Sequence, residues 1–327
     1  MEAFINETSI ILVLLLLIAG IVFLIKGADV FVEGSSGIAR MFNVPSLIIG
    51  MTVVSIGTSL PEFSVSLIAS ISGKNELAIS NVTGSDIFNI LVVLGACALI
   101  SPVHVENNTV KRDIPFLLIA SIVLVSPFFI ELITRSGNME VNRVVGAILA
   151  AMFIYYMVSM VLRGKKGGDE DAENENGKES SLIKSILFIV LGAAGVIIGG
   201  DVTVDCASRI ATDLGMSQTL VGLTIVSVGT SLPELVTSIV AIKKGELGMA
   251  LGNSIGSCIF NILMIAGFAS LISPITLTMD NVLDLFIMIG TFLIAWVFAV
   301  TRKTISRMEG SVLLFLYAVY LVYIIIR

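Results

Sequence analysis

The chain has 327 residues, 56% hydrophobic and 13% charged, with a formal net charge of −6 and a mean hydropathy of +1.03. A composition this apolar excludes a soluble domain of this size, and the acidic balance gives no nucleic-acid signal. The three cysteines (Cys97, Cys206, Cys258) show neither metal-ligand spacing nor an even number and read as small buried hydrophobes, while His104 reads as a surface loop residue.

Taken in order, the apolar runs predict ten membrane spans, at about 9–39, 45–72, 76–100, 113–131, 141–162, 182–213, 217–243, 247–271, 282–301 and 309–326. The first run is not read as a cleaved leader. No basic residue precedes it, no small-residue cleavage site follows it, and its equivalent recurs at 182–198. The first and sixth spans are longer than a bilayer requires and are expected to tilt or to extend beyond the hydrocarbon. Between the fifth and sixth spans, 164–181 contains no large apolar side chain and reads as a flexible acidic linker.

The second span carries Gly-Met-Thr-Val-Val-Ser-Ile-Gly-Thr-Ser-Leu-Pro-Glu at 50–62, and the seventh carries Gly-Leu-Thr-Ile-Val-Ser-Val-Gly-Thr-Ser-Leu-Pro-Glu at 222–234. Adding 172 to the numbering superposes the halves without a gap from about Gly27 to Pro102. Asp29 meets Asp201, Asn81 meets Asn253, Ser85 meets Ser257 and Asn89 meets Asn261. The chain therefore reads as a duplication: a first five-helix repeat over 1–163 with motif segments 50–62 and 81–91, the linker 164–181, and a second repeat over 182–327 with segments 222–234 and 253–263. Five spans per half is an odd number, so the second half enters the membrane from the opposite side. The fold class is all-α integral membrane, ten transmembrane helices in two inverted five-helix repeats.

With the N-terminus outside, thirteen Lys and Arg residues fall at inside positions, including Arg40, Lys111, Arg163, Lys243, Lys244 and Arg302. Five fall outside: Lys74, Arg135, Arg143, Arg209 and Arg327. The positive-inside rule then predicts a multi-pass protein of the cell membrane with both termini outside and the linker 164–181 cytoplasmic.

Pro61 and Pro233 each remove a helix N–H and free the carbonyl one turn back, at Gly57 and Gly229. A freed carbonyl inside a membrane needs another helix, water or an ion as partner. Glu62 and Glu234 lie beside these breaks, and no Arg or Lys occupies the middle of the second, third, seventh or eighth span. A membrane carboxylate without a basic partner points to a bound cation. Ser85 with Asn89, and Ser257 with Asn261, are spaced to share one helix face. The donors are all oxygens, which suits Ca²⁺ or Na⁺ and not Zn²⁺ or copper. Hydroxyls and amides in membrane helices also simply hydrogen-bond neighbouring helices, and the glutamates have far less claim to that reading. The i, i+4 pairs Asp29/Glu33 and Asp201/Asp205 read as helix-end residues or as an ion entrance, and Lys26 either pairs with Asp29 or reaches for the interface. Gly84, Gly256, Gly95 and Gly267 read as close-packing positions. Asp86 breaks the repeat, since its counterpart is Cys258. It reads either as a carboxyl facing a neighbouring helix or as a third acid of the site.

Gly-Thr-Ser-Leu-Pro-Glu with a downstream Gly-Ser-x-x-x-Asn, present twice, resembles the α-repeats of the Ca²⁺:cation antiporter superfamily, and most closely the compact prokaryotic sodium/calcium exchangers. The resemblance covers nearly the whole chain. It implies ion ligands from Thr58, Ser59, Glu62, Ser85 and Asn89, and from Thr230, Ser231, Glu234, Ser257 and Asn261, with backbone oxygens near Ser55 and Ser227. It implies that the first and sixth spans slide across the core to alternate access. The expected function is antiport of Na⁺ against Ca²⁺, with Ca²⁺ leaving as Na⁺ enters. The partners are those ions and the lipid bilayer, with no cofactor beyond the cargo, and a monomer suffices. A Ca²⁺/H⁺ exchanger of the same fold is the alternative, and a cation channel is the rival from another class. No metal-protease His motif and no Ser-His or Ser-Lys dyad supports an enzyme.

Overall fold

The computed structural model describes residues 5, 8–73, 75–135, 139–167, 181–216, 225 and 227–326. Most of the linker 164–181, the opening of the second motif at 222–224, Val226 and the side chain of Ser227 lie outside the described residues.

The chain is built of helices. In order they are α1 (Ile10–Met41), α2 (Ser46–Thr58), α3 (Leu60–Ile71), α4 (Glu76–Ile100), α5 (Thr109–Thr134), α6 (Arg143–Gly164) and α7 (Leu182–Asp213). The short α8 (Ser227–Gly229) follows, then α9 (Leu232–Lys243), α10 (Leu247–Ile272), α11 (Met279–Arg302) and α12 (Arg307–Ile326). Among the described residues, eight helices are long and apolar enough to cross a membrane, and the bent pair α2–α3 makes a ninth candidate. The expected seventh span begins among residues outside the described set and continues as α8 and α9.

Helices α1 and α7 have 32 residues each. At ~1.5 Å per residue they are about 48 Å long, well beyond a hydrocarbon core of about 30 Å. They pack along one another through small residues. A Cβ added at Gly27 would stand 2.6 Å from the backbone of Gly195 and Val196, and one at Gly34 would stand 2.8 Å from the Ile189 nitrogen. Glycine permits this backbone approach, the usual way apolar helices gain dispersion contact where no water is expelled. Their outer faces carry exposed Ile11, Ile18, Phe23, Ile183, Val190 and Leu191.

Helices α4 and α10 are the most buried and form the centre. Gly256 of α10 sits against α2, where an added Cβ would come within 2.6 Å of the Met51 Cα and 2.8 Å of the Ser55 hydroxyl. Gly95 and Gly267 are likewise packed, against α12 and α6. The two halves exchange contacts reciprocally. Strand β1 (Val103–His104), after α4, pairs antiparallel with β4 (Thr304–Ile305), before α12. Strand β3 (Ile275–Thr276), after α10, pairs with β2 (Glu140–Val141), before α6. Each half thus buckles its loop into the other. A capping box at Thr278 and Asn281 starts α11.

The three cysteines are buried and free, and His104 is exposed. Asp29 takes Lys244 as its partner, with Lys244 Nζ 2.9 Å from its carboxylate and 2.8 Å from its main-chain oxygen. The pairing with Lys26 does not form. Glu33 stands 4.0 Å from the same ammonium, and Arg40 stands 3.8 Å from Glu246. These contacts tie the C-terminal end of α1 to the turn between α9 and α10. Arg163 is not a free loop charge: its guanidinium lies 2.7 Å from the buried carboxylate of Asp113.

Candidate ion site

A helix break in each half frames the candidate site. Helix α2 passes through a wide π-helical turn at Gly50–Val54 and stops at Thr58. Ser59 then leaves helical geometry at φ −85°, ψ 10°, and α3 restarts at Leu60 with a bend of 50°. Pro61 falls in the first turn of α3, where an N–H has no intrahelical acceptor and its loss costs nothing. Among the described residues the second half shows the corresponding break, with Ser231 at φ −94°, ψ 5° and Pro233 opening α9. Glu62 and Glu234 therefore stand in the first turn of a half-helix, where the helix dipole favours negative charge.

Both glutamates are fully buried, and each is held by the other repeat. Ser231 Oγ donates to Glu62 Oε1 at 3.1 Å, and Ser59 Oγ donates to Glu234 Oε1 at 2.7 Å. Ser257 Oγ adds a longer bond to Glu234 Oε1 at 3.4 Å. The second oxygen of each carboxylate, Oε2, has no partner. A hydroxyl that donates its proton keeps its lone pairs, so Ser59 and Ser231 orient the carboxylates and still present oxygen to a cation. None of the described ion pairs reaches Glu62, Glu234 or Asp86. Two buried carboxylates without a cationic side chain cost several kcal/mol each unless an ion compensates them.

An amide bracket fixes the backbone behind each glutamate. Asn81 Nδ2 donates to the Glu62 carbonyl at 3.2 Å and to Ser66 Oγ at 3.0 Å. Asn253 Nδ2 donates to the Glu234 carbonyl at 3.2 Å and to Ser238 Oγ at 2.9 Å. Thr58 Oγ1 closes this second bracket by donating to Asn253 Oδ1 at 3.1 Å. The related Thr230 hydroxyl is buried without a partner.

Helices α4 and α10 supply the rest. Ser85, Asp86 and Asn89 on α4, and Ser257 and Asn261 on α10, are all buried. Ser85 Oγ, both polar atoms of the Asn89 amide, Asn261 Oδ1 and Asp86 Oδ2 have no hydrogen-bond partner. Asn89 and Asn261 each open a π-helical turn, Asn89–Leu94 and Asn261–Ala266. A π-turn skips a regular i→i+4 bond, and such turns recur at functional sites. Asp86 faces a neighbouring helix: its Oδ1 accepts from Asn261 Nδ2 at 2.9 Å.

Of the residues expected from the sequence, Glu62, Glu234, Ser59, Ser231 and Ser257 meet directly, and Thr58 joins them through Asn253. Ser55 is buried, but its carbonyl already accepts the Ser59 N–H at 3.0 Å, and it is the alternative acceptor, at 3.4 Å, for the Thr58 hydroxyl. In this conformation it is a support of the break more than a free donor. Among the described residues no three His, Cys, Asp or Glu side chains gather closely enough to chelate a metal ion by themselves. A cation held here would draw on neutral oxygens as well as the glutamates, as Ca²⁺ and Na⁺ do. The bracketing role of Asn81 and Asn253 was not read from the sequence. Their pairing across the repeat was visible, and it was the available signal.

The family model described as "Sodium/calcium exchanger protein" matches residues 12–162 and 184–326. Among curated proteins, the chain is 36% identical over 312 residues to the putative antiporter CaxA of Alkalimonas amylolytica, covering 93% of this chain and 95% of that one. It is 34% identical over 344 residues to the sodium/calcium exchanger MaX1 of Methanosarcina acetivorans, covering 94% and 97%. Among solved structures, the sodium-calcium exchanger NCX_Mj soaked with zero Na⁺ and Ca²⁺ superposes with a TM-score of 0.81 at 34% identity, covering 97% of this chain and 100% of that one. The same exchanger soaked with 2.5 mM Na⁺ and 1 mM Sr²⁺ gives 0.81 at 35% identity. With the match spanning both halves of the chain and both glutamate-bearing breaks, this protein belongs to the sodium/calcium exchanger family.

Proposed function

We propose that the chain is a secondary antiporter that exchanges Na⁺ for Ca²⁺ across the cell membrane, with Ca²⁺ leaving as Na⁺ enters. The observation that carries this reading is the pair Glu62 and Glu234. Both are fully buried, each is oriented by a serine of the opposite repeat, and each keeps one oxygen without a partner. Two carboxylates neutralise one Ca²⁺ or two Na⁺. The same oxygens do not hold both sets at once, because cations a few ångströms apart repel strongly away from water. Competition for shared ligands follows, and it is the property an exchanger needs. The loaded site changes sides, and the empty, charged site does not. MaX1 is named a sodium/calcium exchanger, and the NCX_Mj structures concern extracellular ion exchange and binding-site occlusion, which agrees with this reading.

The ligand set of this proposal is Glu62, Glu234, Thr58, Ser59, Thr230, Ser231, Ser85, Ser257, Asn89 and Asn261, with backbone oxygens near Ser55 and Ser227 as further donors. The proposed architecture is ten membrane helices in two inverted five-helix repeats, over 1–163 and 182–327. Both termini lie outside, and the linker 164–181 is cytoplasmic. The reciprocal pairing of β1 with β4 and of β3 with β2 supports the pseudo-two-fold relation. Helices α1 and α7 slide as a pair against the core, which their glycine-lined mutual interface favours. A monomer suffices for the cycle.

The test is Ca²⁺ uptake into proteoliposomes under an imposed Na⁺ gradient, an H⁺ gradient or neither. Uptake driven by Na⁺ alone is expected. Uptake driven only by a pH gradient would move the protein to H⁺ coupling, and uptake without a counter-ion would make it a channel.

A further inference from the structure

The two halves of the site differ at Asn89 and Asn261. Both amides are fully buried, stand at repeat-related positions and open a π-helical turn. Asn261 Nδ2 donates to Asp86 Oδ1 at 2.9 Å, whereas neither polar atom of the Asn89 amide has a partner. The sequence supplies the cause. Asp86 is matched in the second half by Cys258, and the Cys258 thiol is directed to the main-chain oxygen of Asp86 at 3.8 Å. A thiol is a weak donor and a weak acceptor, so Cys258 is a poor substitute for the carboxylate that Asn261 enjoys.

We propose that Asp86 is a positioning residue that locks the Asn261 amide with its oxygen available to the transported cation, while Asn89 stays free to turn. Asp86 Oδ1 accepts the amide N–H, so the Asn261 nitrogen is turned to Asp86. The other end, Asn261 Oδ1, is then fixed in the opposite direction, buried and unpartnered. Asn261 lies one turn beyond Ser257, whose hydroxyl reaches Glu234 at 3.4 Å, so it is on the face of α10 that looks toward the glutamates. A preoriented ligand loses less freedom when an ion binds than one that must first turn. The site thus has one rigid amide arm on α10 and one adaptable arm on α4. Two cargoes of different charge and ligand number then share a scaffold that stays fixed on one side and adjusts on the other. This inference rests on the exchanger reading, since the ion concerned is its cargo.

The experiment uses the full chain in Na⁺-loaded proteoliposomes, with initial Ca²⁺ uptake measured as external Ca²⁺ is varied. The variants are Asp86→Ala, Asp86→Asn, Asn261→Ala, Asn89→Ala, and the doubles Asp86→Ala/Asn261→Ala and Asp86→Ala/Asn89→Ala. Asp86→Cys, the residue found at the related position, replaces Asp86→Ala should the alanine variant not insert. Removing a partner that orients a metal ligand weakens affinity by about 10- to 100-fold. Asp86→Ala is therefore expected to raise the KM for Ca²⁺ by about ten-fold with a smaller change in kcat. Asp86→Asn keeps an acceptor for the Asn261 amide and is expected to stay near wild type. In the Asn261→Ala background the Asp86→Ala effect vanishes, and in the Asn89→Ala background it persists. An Asp86→Asn variant as impaired as Asp86→Ala would make Asp86 a direct charge of the site, and overturn the inference. So would an Asp86→Ala effect that survives the loss of Asn261, or an Asp86→Ala variant with wild-type KM. Wild-type vesicles run alongside separate the two levels: no Na⁺-driven uptake by wild type sinks the exchanger reading, whereas normal wild-type uptake with an additive cycle sinks the positioning role alone.

Discussion

Glu62→Gln is the sharpest perturbation of the proposed site because it removes a charge and almost nothing else. The glutamine oxygen still accepts the Ser231 hydroxyl, and the Asn81 bracket holds the main-chain carbonyl of residue 62, not its side chain. Folding and insertion are therefore expected to survive. The lost attraction is large. Two unit charges 4 Å apart attract by about 4 kcal/mol at an effective dielectric near 20, so a carboxylate and a divalent ion exchange about 8 kcal/mol. Water and the neighbouring hydroxyls and amides, drawn closer to the ion, recover part of that loss. A net weakening of about 3–4 kcal/mol for Ca²⁺ remains, or between about 10²- and 10³-fold in affinity. For Na⁺ the gross attraction is half as large, and the net loss shrinks with it. Glu62→Gln should therefore lose Ca²⁺ far more than Na⁺. The assay pairs Ca²⁺ uptake in proteoliposomes with thermal stability in detergent, titrated with each ion. Ca²⁺ protection should disappear from the accessible range while Na⁺ protection persists. A variant that expresses normally and exchanges Ca²⁺ at a wild-type KM would remove Glu62 from the site. Glu234→Gln should behave alike.

Asn253→Ala removes three buried hydrogen bonds at once, to the Glu234 carbonyl, Ser238 and Thr58, and leaving a buried group unsatisfied costs about 1–3 kcal/mol; thermal stability in detergent should fall further than in Asn81→Ala, which lacks the Thr58 bond. Asn89→Ala should reduce transport less than either glutamate variant, because an amide contributes a dipole and water replaces it in part; equal or greater loss in uptake would contradict this. Lys244→Ala breaks half-exposed ion pairs worth about 0–1 kcal/mol, so the balance of conformers shifts by no more than about five-fold. Thiol-labelling of single cysteines placed between α1 and α9 should show raised accessibility from the cytoplasmic side, and unchanged labelling would argue that these contacts are ornamental to gating. A protease site inserted in 164–181 should be cut in inside-out vesicles and spared in right-side-out ones, and the reverse pattern would invert the proposed topology.

The broad plan was legible in the sequence because duplication writes it twice. Composition alone marks the apolar runs that form the long helices, and the second copy of Gly-Thr-Ser-Leu-Pro-Glu singles out the serines and glutamates that the structure brings together across the repeat. Pro61 announced the break, since a proline within an apolar run must either kink a helix or open one. The break itself falls at Ser59, because the proline is accommodated in the first turn of the following helix. What the sequence hid was partnership. Nothing in the spacing of Ser59 says that its hydroxyl reaches Glu234 across 175 positions. The same holds for Asp86, whose neighbour Asn261 is equally distant in the chain. The π-helical turns after Asn89 and Asn261 were also invisible, because a single widened turn leaves the hydropathy pattern almost unchanged.

Those crossed partnerships explain why the duplication must be kept as a pair. Glu62 is held by a serine of the second half and Glu234 by a serine of the first. A single half would leave its glutamate without this donor, and with an unpaired charge in a low-dielectric interior. It would also leave β1 or β3 with an open edge. Neither half by itself brings a serine to its own glutamate in this way, so the proposed site belongs to the interface between them. Once both copies are required, they are free to diverge where exchange between two cargoes gains from inequality. The pairing of Asp86 with Cys258 across the repeat is such a place. It leaves one amide held and its counterpart free, within a frame whose glutamates, serines and brackets remain matched.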